Sequence, residues 1–323
     1  MKLILPSRQN KRWLEASAGT QGKQETRRNN MIPLITSIPP QMNRQTWEGK
    51  EIGREYALQC IQSWRNSGFD LVSVNAEGER LSELISGEGI KLITVKRNAS
   101  VQFGRPLVYL DDLIAAARSL TEGPAVVINS DILLELTPAM QQQISNIRPG
   151  QCVFSRRTDI HSLDSRTGEQ YTRGYDFFAF HTRDLSTFSN QDFVFGMPWW
   201  DHYFPIHMYL RGLKPLPATK PFAFHLAHDE RWDIESWMLL GKRFLQLIQR
   251  EISSLPDNET LAHDYVQRCE RAVLGSDVGF VSRAGIALRG FTHRGKVENE
   301  IRMFDRVGAA NMQWLDELGS RQT

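Results

Sequence analysis

Ala125-Val126-Val127-Ile128-Asn129-Ser130-Asp131 is the stretch on which the reading of the fold turns. The breaker Thr121-Glu122-Gly123-Pro124 precedes it, and the apolar run ends abruptly in three polar residues. A short, continuous apolar run bounded by turn residues predicts a strand buried on both faces. Such strands belong to parallel sheets, in which ligands bind beyond the carboxyl ends. Asp131 therefore stands where a bound ligand would lie.

Upstream, the pattern repeats. Ile32 to Ile38 reads as a first strand stopped by Pro39-Pro40. A helix carrying Tyr56, Ile61 and Trp64 follows and closes at Asn66-Ser67-Gly68. Leu71 to Val74 and Ile90 to Val95 read as the second and third strands, and Leu110 to Leu120 as a helix. Strands with little alternation, separated by helical patterns, predict one mostly parallel sheet flanked by helices, an α/β fold. No Gly-x-Gly-x-x-Gly follows the first strand and no Gly-Lys-Ser/Thr loop occurs, which sets aside two common nucleotide-binding designs.

Downstream of Gln151 the regular alternation is lost. Tyr175 to Phe180 reads as a strand and Trp199 to Gly212 as a helix interrupted by Pro205; Leu213 to Pro217 and Phe222 to Leu226 read as extended. Helical patterns cover 234–251, 261–274 and 297–318. The expected organisation is a basic leader over 1–30, a ligand-binding domain over 31–240, and a helical C-terminal extension over 241–323. The leader is polar and reads either as disordered or as an arm touching an acidic membrane surface.

Composition narrows the function. The chain has 323 residues, 41% hydrophobic and 24% charged, an ordinary globular balance. Its 39 basic and 37 acidic side chains leave a formal charge of +2, which speaks against a nucleic-acid partner. Three widely spaced cysteines form neither a disulfide framework nor a zinc pattern. No apolar run approaches the ~18 residues of a membrane span. These features predict a cytoplasmic protein, with the leader allowing contact at the inner face of a membrane; the oligomeric state is not legible.

Four groups of residues offer chemistry, each with a plainer alternative. Asp131 can ligate Mg²⁺ or Mn²⁺ facing a diphosphate, or cap the following turn. His225 and His228, three apart, are either cation ligands or structural. Trp199, Trp200 and Asp201 are either a sugar-binding surface with a general base, or core residues at a helix start. Asp176, inside an aromatic stretch, either binds a sugar hydroxyl or pairs with an arginine such as Arg173. Lys96, Arg97 and Arg105 form a basic group suited to a diphosphate or are simply solvated.

The order of these pieces resembles that of glycosyltransferases of the GT-A fold. Ile35-Thr36-Ser37-Ile38-Pro39, Ser73-Val74-Asn75, Asn129-Ser130-Asp131-Ile132, the 174–178 segment, Pro198-Trp199-Trp200-Asp201 and the late His225 to His228 carry the resemblance, over residues 31–240. It implies that Thr36, Ser37 and Asn75 line the nucleotide pocket and that Asn129-Ser130-Asp131 is a degenerate Asp-x-Asp metal motif. Asp131 would then be the direct ligand and His228, or else His225, a further one. Asp201 would be the base. The implied reaction moves a sugar from a nucleotide-sugar, a UDP-sugar by preference, to a glycan or other hydroxyl acceptor, with inversion favoured. Asn129 departs from the motif, because an amide brings no charge. Two rivals follow: a sugar-phosphate nucleotidyltransferase, disfavoured by Ser37-Ile38-Pro39-Pro40 where a Gly-rich loop is expected, and a non-catalytic sugar-binding member.

Overall fold

The apolar segment Ile32–Thr36 forms β1, the hub of the main sheet, with Leu34 and Ile35 wholly buried. The computed structural model describes residues 31–46, 48–171, 174–188, 192–216, 220–228 and 234–253. The leader and the helical patterns over 261–274 and 297–318 lie outside them, as does Arg173.

After β1 come helix α1 (Gly53–Asn66), β2 (Phe69–Ala76), the short α2 (Glu83–Ser86), β3 (Lys91–Val95), the short α3 (Ser100–Phe103) and α4 (Leu110–Leu120). Next are β4 (Pro124–Ile128), β5 (Leu133–Leu134), α5 (Pro138–Ser145), β6 (Gln151–Ser155), β7 (Thr158–Ile160) and β8 (Gly168–Gln170). The described chain finishes with β9 (Phe177–His181), α6 (Trp200–Leu210), β10 (Lys214–Pro215), β11 (Ala223–Leu226) and α7 (Ile234–Ser253).

The main sheet has seven strands in the order β10-β6-β9-β4-β1-β2-β3. All neighbours run parallel except β9, which lies antiparallel between β4 and β6. The large, mainly parallel sheet flanked by helices is the architecture expected from the strand pattern. Helix α1 lays Tyr56, Ala57, Cys60, Ile61 and Trp64 on one face of it. Helix α4 covers the other with Leu113, Ile114 and Ala117. Asp112 accepts a 3.2 Å bond from the Tyr109 amide at the start of α4, and acids there complement the helix dipole.

A second, four-stranded sheet, β5-β11-β7-β8, was not expected. Its strands are two to four residues long, too short to carry a hydrophobic period. The expected boundary at residue 240 also moves: α7 runs through it, and Leu240, Phe244, Leu245 and Ile248 are buried in the main core. The helix is an integral part of the domain as far as Ser253. None of the described helices is long and apolar enough to cross a membrane.

Candidate active-site cleft

The polar residues that end β4 open onto a cleft of about 310 Å³. Ser37 and Pro39 after β1, and Asn129, Ser130 and Asp131 after β4, form one side of its lining. The antiparallel course of β9 brings Asp176, which precedes it, to the same end of the sheet as Asn129, which follows β4. The Asn129 amide donates to the Asp176 carbonyl at 3.1 Å, and Asn129 Nδ2 to Asp176 Oδ1 at 2.7 Å.

Helix α1 fixes the turn that carries Asp131. Tyr56 is fully buried; its hydroxyl donates to the Asp131 carbonyl at 2.6 Å and accepts from the Leu226 amide at 2.8 Å. Trp64 Nε1 donates to the Ile132 carbonyl at 2.7 Å. One phenol thus ties the β4 turn to β11, the strand that bears His225.

Asp131, His225 and His228 present ligand atoms that all lie within 4.8 Å of one another. His225 Nε2 is 3.4 Å and His228 Nε2 3.8 Å from Asp131 Oδ2. His225 faces Asp159 across the parallel β11–β7 pairing, and its Nδ1 lies 2.7 Å from Asp159 Oδ1. Asp159 is itself held below its ordinary pKa: burial pushes it up, but the His225 hydrogen bond and Arg157 outweigh that. Asp159 thus orients the His225 ring from behind and leaves Nε2 facing Asp131, as outer carboxylates orient cation-ligating imidazoles. The donor set of one carboxylate oxygen and two imidazoles fits a divalent cation. Burial pushes the Asp131 carboxyl up, yet His225, His228 and Arg44 together hold it well below the usual carboxylate range.

The opposite side of the cleft reverses this pattern. Asp201 sits in the first turn of α6 and its pKa is pushed up to about 8, by burial first and then by the Asp176 carboxylate. A Cβ on Gly174 would stand 2.0 Å from Asp201 Oδ2, so this side chain occupies its place only because residue 174 is glycine. Arg157 bonds Asp176 Oδ1 at 3.1 Å and Asp159 Oδ1 at 2.8 Å and stacks on the Tyr171 ring at 3.8 Å. The second oxygen of Asp176 is buried without a hydrogen-bond partner. His202, beside Asp201, is pushed down to about 4 by burial and is neutral at physiological pH, with its Nδ1 likewise unpartnered.

The structure gathers Ser37, Asn129, Ser130, Asp131, Asp176, Trp199, Trp200, Asp201, Arg105, His225 and His228 around the cleft. Lys96, Arg97, Asn75 and Thr36, also expected at the site, are not part of the lining. Arg97 stacks on Tyr109 at 3.9 Å and pairs with Asp111 at 3.2 Å, outside the lining of the cleft. Asn75 is buried and donates to the Ile38 carbonyl at 2.8 Å, which shapes the loop after β1 from behind. Thr36 is also buried, 1% exposed, and lies behind the lining.

The tryptophans line the cleft but offer no stacking face, because they are 1% and 2% exposed. Trp200 packs on Phe178 and Phe195. Trp199 packs on Trp237 and Phe244 and donates to the Trp237 carbonyl at 2.8 Å. It adopts φ 83°, a left-handed conformation that costs a non-glycine residue about 1–3 kcal/mol and persists only under strong packing. The tryptophans are core, and Asp201 faces the cleft. Sequence reasoning missed Arg44, Arg157, Tyr171 and His202. No local pattern marks them: the loop between β1 and α1 brings Arg44 to the site, the second sheet and its flanks bring Arg157 and Tyr171, and α6 brings His202.

No protein-family model matches the chain, and no curated protein matches it. Among solved structures, HddC from Yersinia pseudotuberculosis complexed with GMP-PN is similar at TM-score 0.33 and 11% identity, over 61% of this chain and 90% of that one. A second structure of HddC gives TM-score 0.33 and 11% identity over 67% and 100%. A nucleotidyl transferase from Methanothermobacter thermautotroptrophicus, Mth528, gives TM-score 0.35 and 13% identity over 68% and 99%. Likeness of this degree leaves the functional reading to the geometry of the cleft itself.

Proposed function

We propose that the chain is a metal-assisted transferase acting on a nucleotide-linked sugar, and that it moves the sugar from a nucleotide-sugar donor, a UDP-sugar by preference, to a hydroxyl acceptor such as a glycan. The observation that carries this reading is the placement of a cation-binding carboxylate and a proton-accepting carboxyl on opposite sides of one cleft.

On the donor side, Ser37, Asn129 and Ser130 border the nucleotide, and Arg105 faces the diphosphate. Asp131, His225 and His228 would hold the cation, and two imidazoles favour Mn²⁺ over Mg²⁺, which keeps to oxygen ligands. The cation would neutralise charge developing on the leaving diphosphate. On the acceptor side, the unpartnered oxygen of Asp176 accepts from a sugar hydroxyl. Asp201 takes the proton of the attacking hydroxyl as its oxygen bonds to the anomeric carbon, and the bond to the diphosphate breaks with its electron pair. Direct displacement of this kind inverts the anomeric centre.

A sugar-phosphate nucleotidyltransferase is the second reading; Mth528 is described as a nucleotidyl transferase. There the arginines would face a triphosphate and pyrophosphate would leave. Against it stands the loop after β1, where Pro39 and Pro40 remove two of the amides a phosphate cradle would use. The test incubates the protein with a panel of nucleotide-sugars, and separately with nucleoside triphosphates and sugar phosphates, with and without Mn²⁺. Nucleoside diphosphate release from a nucleotide-sugar supports glycosyl transfer. Pyrophosphate release from a triphosphate moves the assignment to the second reading, and binding without either product ends both.

A further inference from the structure

Arg44 occupies the carboxylate oxygen that a cation at this centre needs. Its guanidinium NH2 lies 2.5 Å from Asp131 Oδ2, the same oxygen that faces both imidazoles. The side chain is 7% exposed. One terminal nitrogen donates to the Asn43 carbonyl at 2.8 Å, and Nε is buried without a partner. A buried guanidinium with an unused donor is poorly satisfied, and it lines the cleft beside Ser37, Pro39 and Arg105.

Only the side chain has freedom to re-aim. The Arg44 amide donates to Glu51 Oε1 at 3.1 Å, and its carbonyl accepts from the Ile52 amide at 2.8 Å. The charges explain what would move it. Asp131 and Arg44 cancel, and the imidazoles are neutral as ligands, so a divalent cation alone would add two positive charges beside a guanidinium already in contact with its ligand. A diphosphate changes both terms: it gives the guanidinium a bidentate anionic partner and gives the cation further oxygen ligands.

We infer that Arg44 is a guard on the cation centre, holding Asp131 against a divalent cation until a diphosphate takes the guanidinium over. Cation and nucleotide then bind as a coupled pair rather than independently. This rests on the reading of the cleft as a nucleotide-diphosphate site.

The experiment follows Mn²⁺ binding to the full chain by loss of the free-ion EPR signal, with and without UDP, corrected by a protein-free Mn²⁺–UDP titration. For the wild-type chain, UDP tightens Mn²⁺ binding by about tenfold or more. In Arg44→Gln, Mn²⁺ alone binds about tenfold tighter than to wild type, and the effect of UDP shrinks below about threefold. Arg44→Lys keeps the positive charge and keeps Mn²⁺ binding weak in the absence of UDP. A folded Arg44→Gln protein with unchanged or weaker Mn²⁺ binding overturns the guard. So does wild-type protein that binds Mn²⁺ equally well with and without UDP, a measurement that needs no variant. Failure of UDP and Mn²⁺ to bind at all removes the proposed function as well, whereas binding of both with no response to Arg44→Gln removes the guard alone.

Discussion

Two aspartates in one cleft are driven in opposite directions. Asp131 is ringed by His225, His228 and Arg44 and is held well below the usual carboxylate range, while Asp201 is pushed up to about 8 by burial and by Asp176. The side chains are chemically identical; their surroundings favour the anion in one and the protonated carboxyl in the other. Pairs of acids pushed apart in this way are how one site divides charge stabilisation from proton transfer.

The contrast is open to direct attack. Asp131→Asn keeps a partner for Arg44 but removes the only charge among the three ligands, and it is expected to abolish both turnover and Mn²⁺ binding. Turnover measured with Mn²⁺ present, together with an EPR titration, checks this; near-wild-type values would end its role as the anion. Asp201→Asn is expected to lower turnover by ~10²–10⁴-fold while leaving UDP affinity unchanged, the scale for loss of a general base. In wild type, kcat/KM should climb with pH to an inflection near 8, because the base works only when deprotonated. A flat profile across that range would remove Asp201 from the chemistry.

Tyr56→Phe tests the support on the Asp131 side. It deletes one oxygen and leaves the Asp131 carbonyl and the Leu226 amide without their bonds. The expected loss is about 1–3 kcal/mol in chemical denaturation and about tenfold in Mn²⁺ affinity. Trp64→Phe, which breaks only the bond to Ile132, serves as the control that should spare Mn²⁺ binding. A last effect concerns stability alone. Between about pH 4 and pH 8 the folded state keeps a proton on Asp201 that the unfolded chain has released, so this group lowers stability as pH rises through that window. The slope amounts to at most about 1.4 kcal/mol per pH unit. Urea denaturation of wild type and Asp201→Asn at pH 5 and pH 8 should show the variant losing less across the interval.

The two sides of the cleft also differed in how far the sequence revealed them. The fourth strand, its closing Asp131 and the parallel order of β1 to β4 follow from apolar runs and breakers, which are local signals. His225 and His228 could be singled out but not placed, because their partnership with Asp131 depends on β11 joining a second sheet whose strands are too short to carry a period. Arg44, Arg157 and His202 left no trace, since an isolated basic residue in a loop or helix looks the same whether it faces solvent or a buried acid. Trp199 and Trp200 misled for a related reason: a tryptophan beside an acid fits a sugar platform equally well as a helix anchor, and only the presence of α7, where a Cβ added at Gly241 would stand 2.9 Å from the Trp199 ring, decides for the anchor. Arg97 was drawn away by Tyr109 and Asp111, a local sandwich that outcompetes a more distant ligand.

The placement of β9 between β4 and β6 has a consequence for biogenesis. As the chain leaves the ribosome, β4 emerges well before residues 177–181, so one flank of its ladder stays bare until that later segment arrives. A bare, apolar strand edge is a template for pairing with other chains. Premature termination in the interval should therefore give an insoluble fragment rather than a smaller working protein.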